Sequence, residues 1–268
     1  MNTEYVFDTA SDLGHQQVRY LAELYDHATE ACLERAGAGR GLRRLEIGAG
    51  TGSVAAMLAR YGGAGSRVVA AEIEPEQVSD APGVTVVRHD INDGVPAGGP
   101  YELIHGRLVL MHLSRRVEVL AMLVDGLAQD GWLVLGDLGE RLPRALAAPS
   151  DEDAALFDRI ITIGMTVLAP RVGMSVQWGE QLADHLRGAG LLDVEETRVS
   201  RTCRGGTPGC LVLRSYILQL AEPLRGVGVG DEEIARFVEL MTDPQMCVTF
   251  YELVYASGRK ASGTGEQR

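Results

Sequence analysis

Hydrophobic residues recur at close to helical spacing between Asp12 and Ala36, at Leu13, Val18, Leu21, Leu24, Tyr25, Ala28 and Cys32, with charged residues between them. This pattern predicts an amphipathic N-terminal helix. The run Gly37-Ala-Gly-Arg-Gly41 ends it, and a short strand over residues 44–47 leads into a glycine-rich turn. Strand patterns follow at 67–72, 84–88, 102–105 and 132–137, with helical patterns at 53–61 and 108–128. Such alternation implies right-handed crossovers and a doubly wound, mostly parallel α/β sheet. Past Asp137 the pattern changes to helices at 151–168 and 179–189, a strand at 191–199, helical pieces at 211–220 and 231–241, and a last strand at 248–256. The expected organisation is a helical lid (1–40), a cofactor-binding α/β core (41–138), the rest of the sheet with a helical substrate cap (139–257), and a polar, disordered tail (258–268).

Chemistry concentrates in Leu45-Glu-Ile-Gly-Ala-Gly-Thr-Gly-Ser-Val54, where three glycines alternate between a strand and a helix. Without side chains the backbone can turn tightly and approach a ligand closely. The dinucleotide register G-x-G-x-x-G/A would place Ser53 third, with Gly52 one residue early, which weakens a nicotinamide reading. Glu46 opposes a pyrophosphate but suits a ligand carrying ammonium and sulfonium charges. Glu72, 24 residues after Gly48 at the end of the second strand, is placed to accept hydrogen bonds from ribose hydroxyls, and Asp90 after the third strand from an adenine amine. Each acid alone reads as a solvated surface residue; in order at successive strand ends, they read as a nucleoside site.

Composition narrows the partners. A chain of 268 residues with 46% hydrophobic side chains can bury a full core, and its net charge of -12 opposes binding to nucleic acid. The longest apolar stretch, 160–169, falls far short of the roughly 20 residues of a membrane span. The four cysteines form no CxxC pair, and nothing before them resembles a secretory leader, so reduced thiols in a cytoplasmic protein are expected. The bias toward Ala, Gly and Arg suggests a GC-rich bacterial genome.

The runs LEIGAGTGSVA, VVAAEI, VRHDI, YELIHGRLVLMHL and DGWLVLGDL resemble the successive cofactor motifs of class I S-adenosylmethionine-dependent methyltransferases. The likeness is to the type-11/12, ubiquinone-biosynthesis-like group of small-molecule methyltransferases common in actinobacteria, and is strong over residues 40–138. It implies a Rossmann-like sheet of seven strands, S-adenosyl-L-methionine as cofactor and S-adenosyl-L-homocysteine as product. By the same resemblance Glu46, Gly48, Ala49 and Gly50 hold the methionine moiety, Glu72 and Ile73 the ribose side, and Asp90 and Ile91 the adenine. His105 and Arg107 would line the sulfonium side, while Tyr5, Gln16 and Arg19 would close the lid.

Methyl transfer from a sulfonium needs mainly proximity, alignment and a dry pocket. If a proton must leave the acceptor, histidine is the natural base. His112 flanks the expected pocket and is the candidate, although a histidine among Leu110, Met111 and Leu113 also fits a structural role; His105 and His15 are alternatives, and Tyr5 could contact the methyl group or the acceptor. Asp137 stands without neighbouring carboxylates, so no metal is expected. The cap, with Met165, Met174 and Trp178, would wall in a small-molecule acceptor, although core packing explains these residues about as well; Arg198, Arg201, Arg204 and Arg214 could meet an anionic acceptor but fit a solvated loop better. No nucleic-acid or membrane partner is expected, and the N-terminal helix or the cap could pair two chains in a homodimer. Methyl transfer to O, N or C leads; a cofactor-assisted rearrangement or cyclisation, a nicotinamide-dependent oxidoreductase and a non-catalytic cofactor-binding module stay open.

Overall fold

The computed structural model describes residues 11–37 and 43–262. The first half contains α1 (Asp12–Arg35), β1 (Arg43–Ile47), α2 (Ser53–Gly62), β2 (Arg67–Glu72), β3 (Val84–Arg88), β4 (Tyr101–Arg107), α3 (Arg116–Gly126) and β5 (Leu127–Leu138). The second half adds β6 (Ala145–Ala147), α4 (Asp151–Ile163), a π-helical turn over Gly164–Leu168, α5 (Ala169–Arg171), α6 (Trp178–Gly188), β7 (Leu192–Val199), β8 (Thr202–Arg204), α7 (Pro208–Gln219), α8 (Ala221–Arg225), α9 (Asp231–Leu240), β9 (Cys247–Thr249) and β10 (Leu253–Arg259). The main sheet has seven strands in the order β3-β2-β1-β4-β5-β10-β7, with β10 antiparallel to both its neighbours. This is the Rossmann-like class I methyltransferase architecture that the sequence predicts. The order reverses between β1 and β4, and in open parallel sheets ligands bind beyond the carboxyl ends of the strands at that point.

The core explains why the site is rigid. Leu45, Ile47, Val68, Ala70, Leu103 and Ile104 on the central strands are buried, as expected where helices cover both faces of a parallel sheet. Helix α1 buries Tyr25, Thr29, Cys32 and Leu33, and its Gln17 accepts hydrogen bonds from Ser215 Oγ (3.2 Å) and Gln219 Nε2 (2.7 Å) of α7. The Tyr25 hydroxyl donates to the Tyr251 carbonyl at 2.9 Å. Each buried bond of this kind contributes about 1 kcal/mol, and removing one partner costs more because the other is stranded.

Three expectations change. The pattern at 108–128 does not make one helix: Leu110–His112 forms a single 3-10 turn, α3 begins at Arg116 and Ala128 already lies in β5. The cause is tertiary. Leu108 sits at φ 58, its N–H donates to the Gly136 carbonyl at 2.7 Å, and the Asp137 carboxyl accepts from the amides of Val109 and Met111. The last strand also splits. Cys247–Thr249 joins a small sheet ordered β6-β9-β8, and β10 begins only at Leu253, after Phe250 N–H bonds to the Arg201 carbonyl. Between β7 and β10 the insertion holds α7, α8 and α9 together with β8 and β9. The tail expected from 258 is ordered at its start: Arg259 pairs with Asp130 and Asp193, and Lys260 Nζ donates to the carbonyls of Val124, Asp125 and Leu127.

Candidate functional site

The turn after β1 requires its glycines. Gly48, Gly50 and Gly52 have φ of 60, 54 and 84, a region costly for residues with a Cβ. Space is also closed: a Cβ on Gly48 would overlap Val109, and one on Gly50 would come within 2.8 Å of Val18 on α1. The backbone is thereby held flat against a cleft of about 580 Å³, within the range of small-ligand sites. Glu72 at the end of β2 receives Gly50 N–H on Oε2 and Ile73 N–H on Oε1, each at 2.8 Å. Glu74 N–H also donates to Oε1, at 3.4 Å; a carboxylate has about four acceptor sites, so the three amides orient it without exhausting it. Burial raises its pKa, opposed by those amides. Asp90 caps the Ile91–Asp93 turn through Asn92 N–H at 2.9 Å, and Asp90, Ile91, Ile73 and Ala49 all line the cleft.

Beneath the floor lies a pair not evident in the sequence. His105 Nδ1 is 2.7 Å from Glu46 Oε2, with the histidine side chain wholly buried and Glu46 only 3% exposed. Burial raises the Glu46 pKa and His105 opposes the rise. Arg107 lines the cleft and donates to Thr29 Oγ1 (2.7 Å) and Asp26 Oδ1 (3.0 Å), tying the end of β4 to α1.

A second cavity of about 300 Å³ adjoins the cleft, and the two share Leu21, Leu108 and His112 as walls. It is lined from α4, the π-helical turn, α5 and α7, and by Tyr251. A π-helical turn in an α-helix is often found at functional sites, and here Gly164 and Met165 of that turn face the cavity. The pKa of half-buried His112 is pulled down to about 4, mainly by desolvation and also by the nearby Arg116 guanidinium. Arg116 donates to the carbonyls of Leu110, Met111 and Gly173. Asp137, wholly buried and with its pKa pushed well up by burial, clamps the same turn through the amides of Val109 and Met111.

A family model described as a methyltransferase domain matches residues 16–196, more than half of the chain. The chain belongs to the methyltransferase-domain family. None of the curated protein sequences matches this methyltransferase. Among solved structures it resembles a methyltransferase from Bacillus halodurans C-125, with 16% identity and a TM-score of 0.56, over 88% of this chain and all of that one. A Haemonchus contortus phosphoethanolamine N-methyltransferase 2 bound to phosphomonomethylethanolamine and S-adenosylhomocysteine matches over 98% of this chain and 61% of its own, at 13% identity and a TM-score of 0.57. The 4+2 cyclase SpnF matches over 89% of this chain and 81% of its own, at 20% identity and a TM-score of 0.51. These likenesses are of fold. Among the described residues of this methyltransferase, no helix is long and apolar enough to cross a membrane.

The sequence-predicted residues divide. Glu46, Gly48, Ala49, Gly50, Glu72, Ile73, Asp90, Ile91, Arg107 and His112 come together around the cleft. His105 does not reach it; with Nδ1 on Glu46, it stands behind the wall. Gln16 and Arg19 are exposed on α1, whose cleft-facing residues are Val18, Leu21 and Ala22, and His15 is exposed too. Tyr5 lies outside the described residues. Trp178 is no cavity wall: it is buried against His185 with ring centroids 4.5 Å apart. Arg198 is committed to Glu180, Glu196 and Glu252, so it is not an anion receptor. Leu21, Gly164, Tyr216 and Tyr251 escaped sequence reasoning because they come from distant segments and look like ordinary core or helix residues.

Proposed function

We propose that the chain transfers the methyl group of S-adenosylmethionine to a small acceptor seated in the second cavity. The observation that carries this is the meeting of a glycine-floored, acid-lined cleft with a mostly apolar cavity at Leu21, Leu108 and His112. The cleft residues fit the cofactor. Gly48 and Gly50 let the turn keep its positive φ with Val109 and Val18 packed close against it, and Glu72 and Asp90 supply the acceptors that a ribose and an adenine amine need. Glu46, oriented by His105, places negative charge beneath the cleft, which suits a cationic ligand. When bound, the cofactor supplies an activated methyl on a charged leaving group.

The protein's part is positional. Asp137 and Arg116 hold the 109–112 turn, so His112 is fixed between the cavities. With its pKa near 4 the imidazole is neutral at pH 7 but a weak base, so it takes the acceptor's hydroxyl proton only as that oxygen gives up electron density to the methyl group. The apolar walls exclude water. Calorimetry with S-adenosylmethionine and, in parallel, NAD tests the reading: binding of the first, weakened by Glu72→Ala, is expected, and binding of NAD alone would overturn it. Homocysteine formation after hydrolysis of the released product separates methyl transfer from a rearrangement that leaves the cofactor intact.

A further inference from the structure

We propose that the second cavity selects an uncharged, mostly hydrocarbon acceptor carrying one ionisable hydroxyl, of the phenol or enol type, and rejects ammonium-bearing molecules. The proposal rests on the methyl-transfer reading above and names the substrate class for it. The first ground is the lining. Its polar side chains are His112, Arg171, Tyr216 and Tyr251, and among the described residues no carboxylate or amide side chain faces it; Ile161, Met165 and Leu213 represent the rest. An ammonium entering this space would lose its hydration and find no counter-ion.

The second ground is the sign of the surrounding charge. Arg171 is exposed and lines the cavity, and Arg116 lies behind His112, its guanidinium 5.9 Å from the Trp178 ring centroid. Glu46, Glu72, Glu74 and Asp90 line the other cleft instead, and Asp137, the carboxyl beside the His112 turn, is engaged by the amides of Val109 and Met111 and lines neither cavity. A cationic acceptor would meet like charge on the acceptor side, although the chain as a whole is acidic.

The third ground is proton accounting. A hydroxyl enters neutral: an oxygen–carbon bond forms as the donor's sulfur–carbon bond breaks, sulfur keeps that electron pair, and the hydroxyl proton passes to His112 and then to solvent. An ammonium would have to shed its proton before it had a lone pair to attack with.

Fluorescence titration of the S-adenosylhomocysteine-loaded protein with 2-naphthol and with 2-naphthylmethylammonium tests this, using two variants at Gly164. That residue has helical dihedrals (φ -54, ψ -48), lines the cavity, and a Cβ there meets nothing within 4 Å. The wild type should bind the naphthol at least tenfold more tightly than the ammonium. Gly164→Phe should weaken naphthol binding at least tenfold while leaving S-adenosylhomocysteine affinity within twofold, and Gly164→Asp should narrow or invert the preference. An ammonium bound as tightly as the naphthol overturns the proposal. So does naphthol binding indifferent to Gly164→Phe, or a protein that binds S-adenosylhomocysteine but no naphthol. A protein that binds no S-adenosylhomocysteine fails the methyl-transfer reading instead, and the same titrations on the unloaded chain then decide the cavity's preference.

Discussion

The two cavities are built by opposite means. The donor cleft uses short-range devices: a turn whose glycines hold positive φ, and acids placed at the ends of neighbouring parallel strands. The acceptor cavity is a long-range product, walled by α1, α4, α5, α7 and Tyr251, whose side chains meet only after the insertion between β7 and β10 has folded back. Specific polar contacts therefore define one half, while shape and the absence of carboxylates define the other. Substitutions in the first should act on recognition and those in the second on selectivity, with His112 belonging to both.

The largest effect should come from Gly48→Val. It combines an unfavourable φ with overlap against Val109, and S-adenosylmethionine binding should fall below calorimetric detection. Binding within threefold of wild type would mean that the turn is more pliable than its geometry indicates. Next in size is His112→Gln, which should lower kcat on order of 10²- to 10⁴-fold, the usual range for a general base, with a smaller change in cofactor affinity. The pH profile sharpens this. The imidazole is neutral above about 4, so kcat should hold down to that region and decline below it; a decline beginning near the ordinary value of about 6.5 would place His112 in water.

Glu72→Ala should weaken cofactor binding by about 10- to 100-fold, corresponding to roughly 1.5–3 kcal/mol for hydrogen bonds to a charged group. It should leave the binding of hydrophobic probes in the other cavity unaltered, a contrast readable by titration. Arg107→Met removes the link from β4 to Thr29 and Asp26 and should cost about 1–3 kcal/mol in urea unfolding. The last effect is read across pH rather than at a single pH. The fold depresses the His112 pKa, so the unfolded chain binds the extra proton first as pH falls below about 6.5. Wild type should thus lose stability between about 6.5 and 4 relative to His112→Gln, and parallel curves would contradict the desolvation of that ring.

Legibility in the sequence follows the same division. β1 to β3, the glycine turn, Glu72 and Asp90 can be read because each signal spans a few neighbouring residues. Residues 108–113 resist reading, since an unbroken apolar run suits a helix as well as a turn, and what decides is the distant Asp137 and Gly136. His105 misleads for a related reason. Its position at the end of β4 points to the cleft, while its partner, Glu46, is set by register with the neighbouring β1. Periodicity places Val18 and Leu21 on the covered side of α1 without saying that they meet a ligand, while the resemblance points to Gln16 and Arg19, which are exposed.

In the proposed reaction, donor and acceptor meet at Leu21, Leu108 and His112. Nuclear Overhauser spectroscopy of the protein bound to S-adenosylmethionine carrying a carbon-13 methyl group tests it without any acceptor. Cross-peaks from the labelled methyl to side-chain protons of Leu108 and His112 are expected, and should vanish on displacement by S-adenosylhomocysteine. Cross-peaks confined to residues of β2 and β3, with none to Leu21, Leu108 or His112, would contradict it.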